Sequence, residues 1–223
     1  MKKCFTILLL LLAASWAPTR FVEPIPEGHT NITASLGGPL FDFVGTTIAM
    51  PLTSIAAGYG YSGSLTLFGG LHTTALMFDD LQLDLGALQE LTKQDRLVPA
   101  ISVSPIANIL HAMRDGSSRL WPEADINFYW HYGANDLSSG NLVYVTSSNW
   151  FDFTSTRADN EPQTRHWFSN IAIGHRFEGT NWQYTTELKY LEAGIANTPN
   201  AVGYHGISGN GAFGIYLGIT RKF

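Results

Sequence analysis

The chain has 223 residues, with 13 Lys and Arg against 18 Asp and Glu, a formal net charge of −5. That balance leaves no basic stripe to neutralise phosphates and argues against a nucleic-acid partner. The one cysteine, Cys4, sits at the N-terminus, so neither a disulfide framework nor a thiolate metal site is available to the rest of the chain. Charged residues make up only 14% of the sequence, yet no stretch beyond the N-terminus approaches the ~20 consecutive apolar residues of a spanning helix.

Met1-Lys2-Lys3 followed by the apolar run Phe5 to Ala14 reads as a signal peptide, residues 1–17, with cleavage after Ser15 or Ala17. Trp16 stands where a lipoprotein would carry cysteine. Residues 18–223 then form a single domain. From there the hydrophobic residues fall at alternate positions, the period of a strand. The first strand is expected around Thr30 to Gly37. A Gly-rich hairpin follows, Thr53 to Tyr61 and Ser64 to His72 about a Ser62-Gly63 turn; Gly58, Gly60, Gly69 and Gly70 point to bulges or close backbone approach.

Leu81, Leu83 and Leu85 alternate with Gln82, Asp84 and Gly86, with Leu88 to Arg96 open to a helical turn. Leu97 to Leu110 reads as a strand whose Pro99 and Pro105 belong near its ends or at bulges. Ile126, Phe128, Trp130 and Tyr132 alternate with Asn127, Tyr129 and His131. Between Leu142 and Trp150, Val143 and Val145 compete with Leu142 and Tyr144 for the apolar face. Trp167 to Glu178 and Trp182 to Leu191 form the sharpest hairpin, folding about Gly179-Thr180 as a type II′ turn so that Phe177 faces Trp182 and Ile171 faces Leu188. In the last strand, Ala212 to Phe223, Phe213, Ile215, Leu217 and Ile219 lie on one side and Gly214, Tyr216, Gly218 and Thr220 on the other. Arg221 breaks the apolar series before Phe223.

This last strand resembles the C-terminal closing strand of Gram-negative outer-membrane β-barrels, in which a terminal Phe and alternating apolar residues form an assembly signal. Here Phe223, Ile219, Leu217 and Ile215 occupy those positions. The resemblance implies an all-β fold: a single up-and-down antiparallel transmembrane β-barrel of about ten strands, with eight or twelve also open. It also implies a Gram-negative outer-membrane location with the C-terminus in the periplasm, contact with outer-membrane lipid and lipopolysaccharide, and insertion by the barrel-assembly machinery.

Strand parity agrees. With ten strands the tight turns fall at the periplasmic end, and the long connections Gly38 to Leu52, Phe151 to His166 and Glu192 to Gly211 fall outside. The non-apolar faces carry Asn, Gln, Thr, Gly and Tyr rather than Lys and Glu, as suits a confined lumen. Two aromatic girdles are expected, with Trp182, Phe177, Trp130, Tyr132 and Phe223 at the lower rim and Trp121, Trp167 and Tyr190 at the upper.

Motifs for chemistry are weak. His205 and Ser208 stand three apart in a Gly-rich loop with no acid following. Asp79, Asp80 and Asp84 lack the oxygen-rich loop of a calcium site, and the histidines have no metal spacing. Neither a catalytic residue nor a cofactor or metal site is therefore expected. Asp84, Arg176, Glu187 and Lys189 would all point inward, and charges in a narrow lumen are costly unless paired or hydrated, so a lumen network is expected among them. A non-enzymatic structural or interaction protein follows, an accessory subunit of an envelope assembly whose outer loops contact protein partners. A narrow pore or transport protein is the alternative, and a lipid-modifying enzyme a third reading.

Overall fold

A computed structural model of the chain describes residues 17–133, 140–156, 162–196 and 203–223. The expected signal segment, Ala17 excepted, lies outside them. The strands are β1 (Thr30–Phe43), β2 (Thr46–Ala49), β3 (Leu52–Ser62), β4 (Leu65–Leu71), β5 (Asp80–Thr92) and β6 (Ala100–Ala112). They continue with β7 (Ser118–Tyr132), β8 (Asn141–Phe151), β9 (Trp167–Glu178), β10 (Trp182–Ala196) and β11 (Asn210–Lys222). One helical turn, Thr73–Leu76, lies between β4 and β5.

Wall strands pair antiparallel with their neighbours in sequence. β11 closes on β1 from Asn31↔Lys222 to Pro39↔Gly214, so the wall is a closed ten-stranded barrel. Closure leaves no wall strand with an open edge. β2 is not part of the wall. It pairs only with the far end of β1, Phe41↔Ile48 and Asp42↔Thr47, as a hairpin beyond the rim. β1 therefore runs past Gly37, where the sequence pattern fades, because the hairpin and a bridge from Phe41 to Tyr204 extend it.

The barrel is apolar outside and polar within. Gln82, Asn127, Thr146, Ser148 and Asn170 have no accessible surface, whereas Ile173 is 61% and Leu217 53% exposed. Alternation produces this directly: once one residue of a strand faces outward, every second residue does. That phase settles the competition in β8, where Leu142 and Tyr144 are buried inside and Val143 lies outside.

Several local expectations need correction. The hairpin between β9 and β10 turns at Thr180-Asn181, with the Gly179 N–H donating to the Trp182 carbonyl at 2.8 Å. Tyr184 therefore faces Phe177, and Tyr190 faces Ile171. The register moves by two residues, which preserves both faces because the side-chain period is also two. Gly179 supplies space rather than a positive φ: a Cβ there would sit 2.7 Å from the Trp182 carbonyl oxygen.

Elsewhere, the turn between β3 and β4 falls at Gly63-Ser64, and β5 continues as strand through Leu88 to Thr92 instead of turning helical. Pro105 sits in the middle of β6, paired with Ala124 of β7. On its other side the ladder to β5 skips from Gly86↔Ile106 to Gln89↔Val103, next to the residue that has no N–H to donate. Trp121 is not a rim aromatic. It is 5% exposed and packs inside against Trp150 and Leu110, because it is in phase with the inward Asn127. The other girdle residues lie outward as expected at the lower rim, where Tyr132 bonds His175 and Trp130 Nε1 donates to the Leu97 carbonyl at 2.9 Å.

Candidate functional site

The lumen is organised around residues 18–29, which precede β1. Pro18, Pro24 and Pro26 withhold backbone donors and keep the segment from extending the sheet. Three of its N–H groups find partners on the wall, and that of His29 turns back to the Pro26 carbonyl. Thr19 donates to both carboxylate oxygens of Glu187 at 3.2 and 3.3 Å, Ile25 to Thr66 Oγ1 at 2.8 Å, and Gly28 to the Gly60 carbonyl at 2.9 Å. Ser102 Oγ donates to the Val22 carbonyl at 2.7 Å. Because these partners lie on β10, β4, β3 and β6, all around the wall, the segment is enclosed by the barrel.

Apolar side chains fix its depth. Phe21 packs on Phe68, with ring centroids 5.7 Å apart, beside Leu88 and Ile106. Val22 packs among Ala100, Tyr129, Leu142 and Tyr144. Gly58 and Gly60 make room for it. A Cβ on Gly58 would lie 2.7 Å from Ile25 Cδ1, and one on Gly60 would strike the Pro26 carbonyl. Of the four glycines that signalled bulges or close approach in the sequence, Gly58 and Gly60 mark the seat of this segment, while Gly69 and Gly70 make room for Leu85 and Asp84 of β5.

Two ion clusters clamp it. The Arg20 guanidinium reaches Asp84 Oδ2 with Nε at 3.0 Å and Nη2 at 2.5 Å, while its Nη1 donates to Ser54 Oγ at 2.6 Å. His72 Nε2 lies 3.0 Å from the same Asp84 oxygen. In the second cluster the polarity is reversed: Glu23 from the segment is bonded by Arg176 and lies 2.6 Å from His131 Nε2. Burial works to raise the Glu23 pKa, but Arg176 and His131 outweigh it and hold the carboxyl below its ordinary value. At His72 burial dominates and lowers the imidazole, against the pull of Asp84.

Asp84, Arg176, Glu187 and Lys189 are thus all inward and at most 9% exposed. None of the four bonds another of the four; each has a partner in the segment or, for Lys189, in Ala17 just before it. Asp84 takes Arg20, Arg176 takes Glu23, Glu187 takes Thr19, and Lys189 Nζ donates to the Ala17 carbonyl at 2.9 Å. Glu187 also accepts from Tyr144 Oη at 2.7 Å, and Arg176 has a second carboxylate, Glu178, at 3.4 Å. The sequence signal for this arrangement was the complementary pair Arg20 and Glu23 between prolines, in a chain otherwise sparse in charge.

The segment does not fill the space beside β1, β10 and β11. A cavity of about 250 Å³ remains there, lined among others by Thr33, Ser35, Thr185, Tyr216 and Thr220.

The closing-strand residues Ile215, Leu217, Ile219 and Phe223 all face outward. Arg221 keeps its place among them by lying over the rings of Trp182, at 5.1 Å, and Phe223, at 5.6 Å. His205 acquires an acid that the sequence around it lacks. Asp42, from β1, places Oδ1 2.7 Å from its Nε2, with Thr47 Oγ1 at 3.2 Å. Among the described residues those are the side-chain bonds of His205, and Ser208 is not one of its partners. Asp79 pairs instead with Arg114 at 2.7 Å. Among the described residues no group of three or more His, Cys, Asp or Glu is placed to hold a metal ion.

No protein-family model and no curated protein matches the chain. Among solved structures it is similar to the translocator domain of the autotransporter NalP from Neisseria meningitidis, at 10% identity and a TM-score of 0.46, covering 100% of this chain and 94% of that one. It is also similar to an outer membrane channel from Pseudomonas putida F1, at 12% identity and a TM-score of 0.48, covering 93% and 100%. A third likeness is the NanC porin, at 8% identity and a TM-score of 0.44, covering 87% and 100%.

Proposed function

We propose that the chain is an integral outer-membrane β-barrel of a Gram-negative envelope, non-enzymatic and closed by its own N-terminal segment, with a structural or interaction role as an accessory subunit of an envelope assembly. The observation that carries the membrane reading is the inverted distribution of polarity, with a closed wall presenting Leu36, Leu67, Ile173, Leu188 and Leu217 outward at 46–61% exposure. A continuous apolar belt on a closed barrel is what hydrocarbon requires, since lipid can satisfy no strand edge. The C-terminus lies in the periplasm in this reading, and the end carrying the β2 hairpin faces outward. Outer-membrane lipid and lipopolysaccharide surround the belt, and the barrel-assembly machinery engages Phe223, Ile219, Leu217 and Ile215.

The sealed lumen supports a role without flux, which leaves the outer rim to make contacts. Phe43 and Val44 at the tip of the β1–β2 hairpin are 57% and 89% exposed, an apolar tip suited to a protein contact. Two measurements test the proposal. Wild-type protein in a planar lipid bilayer is expected to give no steady unitary current; a steady current overturns the sealed reading. A photo-crosslinking residue in place of Val44 in intact cells is expected to give a discrete protein adduct; repeated absence of any adduct overturns the interaction role.

A further inference from the structure

We propose that residues 18–29 are a displaceable plug, and that the barrel conducts small inorganic cations when the plug leaves its seat. This goes beyond the sealed state proposed above: it concerns what that state holds back.

The attachment of the segment suits displacement. Wall strands are joined by ladders along most of their length, whereas the segment forms no strand: beyond the backbone bonds of Gly28 and His29 with Gly60 at its C-terminal end, it is held by single hydrogen bonds, two ion clusters and a few apolar contacts. Both clusters place one charge on the segment and its opposite on the wall, Arg20 against Asp84 and Glu23 against Arg176. Such a pair fixes position while both members are present. It strongly disfavours the seated state once one charge is reversed, because the partner is then buried against a like charge.

At the end where Phe223 bonds Thr30 the wall does not fill the bore without the segment, whereas toward the other end Trp121, Trp150 and Leu110, and Met50 with Leu191 and Ala212, pack inside it. Small barrels are commonly sealed by their own inward side chains. Here the inward positions of β1, β10 and β11 toward the periplasmic end are Thr33, Ser35, Thr185, Gly218 and Thr220, and they already border a cavity of about 250 Å³ with the segment in place. Gly58 and Gly60 lie on β3, the neighbour of β1 in the wall, and the space over them is taken by Phe21, Ile25 and Pro26. Withdrawing the segment joins these two spaces into one polar passage.

The charge of that passage sets what crosses it. Losing the segment removes Arg20 from Asp84. The middle of the wall then carries Asp84, Glu123 and Glu187 against Arg176 and Lys189. Inward carboxylates in a narrow bore favour cations.

The test is planar-bilayer recording on the full chain carrying Arg20→Glu and Glu23→Arg together, beside wild type and Asp79→Asn, a change outside both clusters. Wild type and Asp79→Asn are expected to be silent. The double reversal is expected to open, passing K⁺ severalfold more readily than Cl⁻. If the double reversal yields no folded barrel, Glu23→Gln, nearly equal in size, takes its place with brief cation-selective openings expected. A folded variant that stays silent, or that conducts without preference or prefers Cl⁻, overturns the proposal. Steady current from wild type instead overturns the sealed reading, so the two failures are distinguishable.

Discussion

Glu23 shows how one residue ties the lumen together. Its folded pKa lies below the ordinary 4.5 because Arg176 and His131 outweigh the effect of burial. A carboxyl depressed in this way adds stability that is fully present above its unfolded pKa and is lost as pH falls through the folded value. Glu23→Gln is therefore expected to lower the thermal midpoint of the detergent-folded barrel at neutral pH. That deficit should shrink as pH drops below 4.5, until wild type and variant coincide. Removing one member of a buried pair costs ~3–5 kcal/mol. The low end is expected here, since the Glu23 side chain keeps 22% of its surface exposed and Arg176 retains Glu178. Asp79→Asn, in a pair more than half exposed on both sides, should leave the midpoint where it was. An equal loss for both variants, or a Glu23 deficit that grows in acid, would remove the second cluster from the account of what holds the segment.

At the scale of elements, the connections divide cleanly between the two ends. The turns β3–β4, at Gly63-Ser64, and β9–β10, at Thr180-Asn181, lie at the end where Phe223 bonds Thr30. The β1–β2 hairpin, the helical turn Thr73–Leu76 and the connection from β8 to β9 lie at the other. If the outer-membrane orientation proposed here holds, a protease site inserted between Ser155 and Thr156 is cut in intact cells. One inserted between Gly63 and Ser64 is protected until the outer membrane is breached. The reverse pattern would invert the barrel.

For the whole molecule, closure depends on β11, which pairs with both β10 and β1. Phe223 is held at the end of that strand by reciprocal backbone bonds with Thr30, at 2.9 and 3.3 Å, and its side chain is 62% exposed outside. Deleting Phe223 is expected to cut the membrane-inserted fraction severalfold and to leave protein in the periplasm for degradation, as read by heat-modifiable mobility in membrane fractions. Undiminished insertion would separate this chain from barrels whose assembly depends on a terminal aromatic.

The alternation of residues such as Trp182 to Tyr190 was legible in the sequence because side-chain direction in a strand is a local property with a period of two. Faces, strand number and the inward direction of Asp84, Arg176, Glu187 and Lys189 all follow from it. Trp121 was readable in the same way, by counting six residues back from Asn127 through Pro122. The register of the β9–β10 hairpin was not, because a shift of two residues leaves every face unchanged and only the turn geometry distinguishes the alternatives. Nor was the seat of residues 18–29. Three prolines erase the periodicity by which a segment declares itself, and its partners on Glu187, Asp84, Arg176, Ser102 and Thr66 are scattered over more than a hundred residues. They meet around it only because the barrel closes: alternation along a strand decides which way a charge points, and closure of the wall decides what stands opposite.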